Sequence, residues 1–319
     1  MTISTEWSRR IRSSEFVGAT QEPQNATDMA LDRGYLFQPK RHPILLPNGE
    51  PETDRKGNPL AYVIYRDMPD GSQKMLNPAV SPTFALSGYE LLTQTVDGLF
   101  PESTVGMNML EGGRRIMIRV RPEEPVAVYG DDRVAMEILF VQALDGGWST
   151  AAYGTTYRFF CSNQMRIEQA VFRVKHTTNH DQNVFERSLI MATATEQFQE
   201  YLWRASHWAH TPFSRQHFVN LIKELVPRPV AKDGKEPSSK TSTLWERKVD
   251  GIDYFWSEEV DRCGATAWAA LQAIQSYEFH TKGRDKSDDA DLKRKAEILR
   301  DPQKHERLTR RAMRLLPVG

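Results

Sequence analysis

Two cysteines in 319 residues, Cys161 and Cys263, are too few for a disulfide framework. A chain this long buries enough apolar surface to need no such staple. Apolar runs are equally scarce. None approaches the ~20 residues of a membrane-spanning helix, and the opening MTISTEWSRRIRSSEF lacks the apolar core of a secretory leader. Net charge is absent as well, since 42 Lys+Arg balance 42 Asp+Glu. That balance excludes a uniformly basic nucleic-acid binder while permitting a local basic patch. Missing too are a phosphate-binding Walker loop, a dinucleotide glycine fingerprint, a G-x-S-x-G elbow and a Cys-x-x-Cys pair. These absences lead to the expectation of a soluble, cytoplasmic chain with no membrane contact and no cofactor.

The chain divides by pattern. Residues 1–55 scatter Pro, Gly and Asn through EPQNATDMALDRG and QPKRHPILLPNGEPETDRKGNPL, and are expected to form a loosely structured arm. LAYVIYRDM (60–68) has strand composition and is followed by the turn formers Asp70-Gly71. SGYELLTQTVDGLF (87–100) reads as a short amphipathic helix with Ser87 as its N-cap. RRIMIRVR, VAMEILFVQALDGG and WSTAAYGTTYRFFCSN then form an antiparallel meander, the last two joined at Asp-Gly-Gly. Helical spacing returns in FERSLIMATATEQFQEYLWRASHWAH (185–210) and in SRQHFVNLIKELVP, where Ser214 is the expected cap. The expected fold is α+β: a three- or four-stranded meander packed against helices in a core domain at 56–226. A linker at 227–243 and a C-terminal helical region with a basic tail at 244–319 complete the chain. In that region GATAWAALQAIQSYEFHT and a charged segment from about Asp288 to Leu316 are the expected helices.

Candidate chemistry is sparse. Cys161 ends an aromatic, β-branched run with no base beside it, which suits a small core residue better than a nucleophile. His176 and His180 in HTTNHD share H-x-x-x-H spacing, but Thr-Thr-Asn between them is poor helix material and no third ligand follows. No catalytic or metal-ligating residue is therefore assigned. LEGGRR (110–115) offers backbone amides to a phosphate, or a plain turn opening a strand, and the turn is the preferred reading. The basic pattern is richer. Arg114, Arg115, Arg119 and Arg121 crowd one strand, and Arg158 and Arg166 follow, interleaved with Tyr157 and Phe159. Basic side chains tracking a phosphate backbone beside aromatics that stack bases suit single-stranded nucleic acid. The same residues also suit a strand whose aromatics are core.

From about residue 105 the chain resembles the phage- and plasmid-associated family of the domain of unknown function 932. LDGGWSTAAYGTTYRFFCSNQM, FRVKHTTN and GATAWAALQAIQSYEFHT carry the likeness, the last reading QAIQSY where family members show an NAVTEY-like run. The resemblance implies a protein of a mobile element working in a bacterial host cell, and it supplies no catalytic residues. The meander followed by a long helix also looks like the core of single-strand annealing proteins, a likeness of fold alone. The leading expectation is single-stranded DNA binding or annealing in recombination or replication, with a homo-oligomer as the working form. Two alternatives stay open. One is a thiol- or metal-dependent enzyme using Cys161 with His176 or His180. The other is an interaction module acting on host defence or replication proteins.

Overall fold

The computed structural model describes residues 24–101, 103–158, 164–177, 179–189, 191, 194–230, 237–280 and 306–317. It begins with a helix, α1 (Ala26–Asp32), capped by the Asn25 side chain, which accepts from the N–H groups of Thr27 and Asp28. A three-stranded antiparallel sheet follows, β1 (Lys40–Pro43), β2 (Tyr62–Asp67) and β3 (Gln73–Val80), in the order β1-β2-β3. The stretch up to residue 55 therefore carries a helix and a strand where little regular structure was expected; residues 1–23 lie outside the described part. The second helix, α2 (Glu90–Leu99), starts at Tyr89 with no side-chain cap, so Ser87 is not the cap its position suggested. Tyr89 instead buries its ring and donates its hydroxyl to the Gly113 carbonyl at 2.8 Å.

The main sheet has six strands: β4 (Thr104–Leu110), β5 (Arg115–Arg121), β6 (Val126–Tyr129), β7 (Asp132–Ala143), β8 (Thr150–Arg158) and β9 (Gln164–Val174). Their order is β4-β5-β7-β8-β9, with β6 folded back on β7, and every pairing is antiparallel. The meander is thus longer than the three or four strands expected. Side chains alternate across a strand, and β5 uses this strictly. Ile116, Ile118 and Val120 enter the large core with Ile138, Phe140, Ala152 and Phe172. Met117, between them, joins Leu139, Val141, Trp148 and Tyr153 in a second cluster on the opposite face.

Helices α3 (His180–Ser188), α4 (Ala194–His210), α5 (Arg215–Leu225), α6 (Ser239–Cys263), α7 (Ala267–His280) and α8 (Arg307–Leu315) complete the described chain. The expected single helix at 185–210 is two, and α3 begins earlier, at His180. Ser214 caps α5 as expected, accepting from the His217 N–H. The 25-residue α6 falls partly in the expected linker. It packs closely on α7 because Gly251 leaves room: a Cβ there would stand 2.8 Å from the Tyr277 ring. The tail helix α8 is docked. Glu278 of α7 accepts from the N–H groups of Leu308 and Thr309, and Leu308 and Ala312 are buried.

One buried ion network ties the sheet to α6 and α7. Arg158 at the end of β8 donates Nε to both oxygens of Asp132 on β7, at 2.7 and 2.8 Å, and Nη1 to Glu259 of α6 at 2.7 Å. Trp268 of α7 donates its indole N–H to the same Asp132 at 2.8 Å. Arg158 and Asp132 are 2% exposed and Glu259 1%, so removing the cation would strand two carboxylates out of water. Breaking such a pair costs about 3–5 kcal/mol. Arg158→Met should lower stability in urea by that order, whereas Arg204→Gln, at an exposed pair with Glu200, should change it by less than about 1 kcal/mol. Equal small effects from both would show that the network does not hold the layers together.

Candidate functional site

The arginines singled out in the sequence separate into two groups. On β5, Arg119 is 5% exposed and lies 3.9 Å from Glu137 of β7, whose carboxylate also receives Arg121 Nη2 at 3.1 Å. Arg121 stacks on the ring of Tyr157, itself buried, at 4.6 Å. Arg115 donates to Asp145 at 2.7 Å and lies over Trp148 at 4.6 Å. Arg158 belongs to the buried network. Arg119, Arg121 and Arg158 are therefore ion-paired within the fold. Phe159 and Cys161 lie outside the described residues, and of Arg166 the structure gives its backbone pairing with Thr155.

Arg114 belongs to a different assembly. It follows the turn Glu111-Gly112-Gly113 between β4 and β5, all three residues of which have positive φ, 53°, 65° and 105°. Gly112 and Gly113 adopt such values without strain, and here sterics add a second demand. A Cβ on Gly112 would stand 1.8 Å from Lys74 Nζ, and one on Gly113 would stand 3.1 Å from Arg66 Cζ. The turn is thus a bare platform on which the cationic ends of Lys74 and Arg66 rest, over Cα atoms about 3.8 Å apart. The other side of the Arg66 guanidinium faces the Phe37 ring at 4.6 Å.

Arg66 and Lys74 are direct cross-strand partners on β2 and β3. Like charges in that relation repel, and no described carboxylate pairs with either of them or with Arg114. Asp145 and Glu111 are engaged elsewhere: Asp145 holds Arg115, and Glu111 lies 4.0 Å from that same Arg115. The Nε atoms of Arg66 and Arg114 are buried without a hydrogen-bond partner. All three cationic side chains are half-buried. Arg66 and Lys74 thus meet at the glycine turn, with Arg114 next along the chain, and among the described residues none of the three has a carboxylate partner. The sequence pointed to LEGGRR and to Arg114. Arg66 and Lys74 went unmarked, although they flank the Asp70-Gly71 turn closely enough for that turn to set them opposite each other.

The second cluster is the histidine pair. His176 stacks between Phe84, at 4.9 Å, and His180, at 4.4 Å. Both imidazole Nε2 atoms meet the buried Thr150 hydroxyl, at 3.4 and 2.8 Å, and His180 Nδ1 meets Asp181 at 2.8 Å. His180 and Asp181 open α3 where a polar loop was expected. Among the described residues no three His, Cys, Asp or Glu side chains are grouped to hold a metal ion. A cleft of about 210 Å³ lies beside the pair, between residues 85–87 and Asn179–Gln182, smaller than the ~300 Å³ at which ligand pockets begin. Cys263, the described cysteine, is buried, and desolvation pushes its thiol up to about 12, too high for nucleophilic chemistry at neutral pH.

Burial, and then the neighbouring His180, lower the His176 pKa to about 4. Its unfolded value is about 6.5, so the unfolded chain takes up this proton first as pH falls. The stability His176 contributes is complete above about pH 6.5 and is lost progressively down to about pH 4, by up to about 3 kcal/mol. His176→Phe keeps the stack and removes the titration. Its urea midpoint should fall less than the wild type's between pH 7 and 4.5; parallel declines would contradict the assignment.

A family model described as a domain of unknown function, DUF932, matches residues 79–311. Neither a curated protein nor a solved structure matches the chain. Among the described residues no helix is long and apolar enough to cross a membrane.

Proposed function

The chain belongs to the DUF932 family, and we propose that it is a nucleic-acid-binding protein whose contact centre is the Arg66–Lys74–Arg114 cluster on the Gly112-Gly113 turn. The observation that carries this reading is the absence of a described carboxylate partner for those three cations, in a chain whose other central arginines are ion-paired. Side chains that are neutralised inside cannot also track a phosphate backbone. Those left without a counter-ion are the ones an anionic polymer would neutralise, releasing its own condensed ions. Net neutrality of the chain fits a local contact of a few phosphates.

Single-stranded DNA is the favoured polymer. The Phe37 ring lies 4.6 Å from the Arg66 guanidinium, an aromatic beside a cation of the kind that single-strand binders use. A role in the recombination or replication of a phage or plasmid within a bacterial cytoplasm, in oligomeric form, extends this reading. Arg66 and Lys74 precede the matched segment while Arg114 lies within it, so the centre is built at the seam between the N-terminal sheet and the family domain.

Fluorescence anisotropy with labelled single-stranded and duplex DNA across a salt series tests the reading. Three phosphate contacts to a single strand predict a log–log salt slope near about −2. Lys74→Ala and Arg114→Ala should each weaken binding and flatten that slope by about 0.7, without loss of folding. Gly112→Ala should do the same by displacing Lys74. Arg119→Ala should act on stability instead. Absence of binding at low salt, or binding unchanged in the Lys74 and Arg114 variants, would overturn it.

A further inference from the structure

We infer that the Gly112-Gly113 cradle is built for a terminal phosphate monoester, so that the protein recognises the phosphorylated end of a DNA strand. This rests on the nucleic-acid reading and deepens it.

The argument is one of charge and shape. An internal phosphodiester carries one negative charge, and a basic groove that tracks a strand spreads its cations along the backbone at intervals. Here the cations are gathered. Arg66 and Lys74 face each other directly across β2 and β3 and set their charged ends on adjacent glycine Cα atoms, and Arg114 is the next residue along the chain. Two positive charges set on one turn exceed what a single phosphodiester neutralises. A phosphate monoester carries about −1.5 to −2 at neutral pH and three acceptor oxygens. It matches the Arg66–Lys74 pair in charge, and its oxygens suit the Lys74 ammonium and the Arg66 guanidinium.

The surroundings limit the site as well. The Phe37 ring covers one face of the Arg66 guanidinium and the glycine turn covers the other. Tyr89 donates its hydroxyl to the Gly113 carbonyl at 2.8 Å. A turn crowded by Lys74, Arg66 and Phe37 takes the end of a chain more readily than its middle, because an internal phosphate must leave room for two outgoing strands. The same chemistry is found on a free nucleotide, and the test separates the two sources.

The experiment compares one single-stranded DNA sequence with a 5′-phosphate, a 3′-phosphate or hydroxyl groups at both ends, with a nucleoside monophosphate as a fourth ligand. All are measured on the full chain at one ionic strength. A phosphorylated end should bind about tenfold tighter than the hydroxyl form, the worth of one charge-assisted contact. Lys74→Gln and Arg66→Gln should abolish that preference, and Arg204→Gln should not. Equal binding of all three oligonucleotides, weakened equally by Lys74→Gln, would overturn end recognition and leave nucleic-acid binding standing. A preference that survives in both cluster variants would also overturn it, since the end would then be read elsewhere. A nucleoside monophosphate bound as tightly as the phosphorylated strand would support the phosphate cradle and assign it to free nucleotide, against the nucleic-acid reading. Binding of none of the four ligands would overturn both.

Discussion

The bridge from Arg158 to Asp132 and Glu259 is the constraint on which the remaining layout depends. Strands β7 and β8 would hold each other through backbone hydrogen bonds alone. The helices α6 and α7 have no such ladder to the sheet. Their attachment combines apolar burial, centred on Trp268 and Ile252, with a polar core that orients it. The guanidinium is shared between a carboxylate of the sheet and one of α6, while Trp268 of α7 reaches the same Asp132. A buried ion pair of this kind adds little net stability over a well-packed apolar core, yet its loss is severe. Its contribution is positional: of the ways in which two apolar helices might slide over a sheet, it admits the one that satisfies both acids.

The same rule of charge compensation separates structural arginines from those available for binding. Arg119 and Arg121 find Glu137, and Arg115 finds Asp145. Burying those cations without their acids would be prohibitive. At the Gly112-Gly113 turn the rule is broken. Arg66 and Lys74 stand opposite one another over bare glycine, and no described acid pairs with them. That pair, set at the junction of the two sheets, is the basis of the proposed anion contact.

The sequence revealed a good part of this. The alternation of Ile116, Ile118 and Val120 made β5 readable, and Asp145-Gly146-Gly147 marked the turn between β7 and β8. Periodicity of two and turn chemistry are local signals, and both were reliable here. Helix α6 escaped because its first turns are Ser, Lys and Thr, and because Gly251 lies at its centre. That glycine makes sense only once Tyr277 is known to press against it. The roles of the arginines escaped for a related reason. Glu259 is 101 positions from Arg158, and Glu137 meets Arg119 and Arg121 only through the pairing of β5 with β7. A run of like charges on one strand looks like a binding surface until the opposite strand supplies the acid. Arg66 and Lys74 were missed from the other direction, as two ordinary charges in a hairpin whose register was not yet fixed.

The claim that the unpaired cations, and not the paired ones, meet the ligand is tested most directly by following arginine Nε–H resonances. Assignment by Arg→Lys substitution and titration with single-stranded DNA would show each guanidinium separately. The account predicts that the signals of Arg66 and Arg114 move with saturation while those of Arg158 and Arg119 stay in place. Binding accompanied by shifts at Arg158 or Arg119, with Arg66 and Arg114 unmoved, would contradict it.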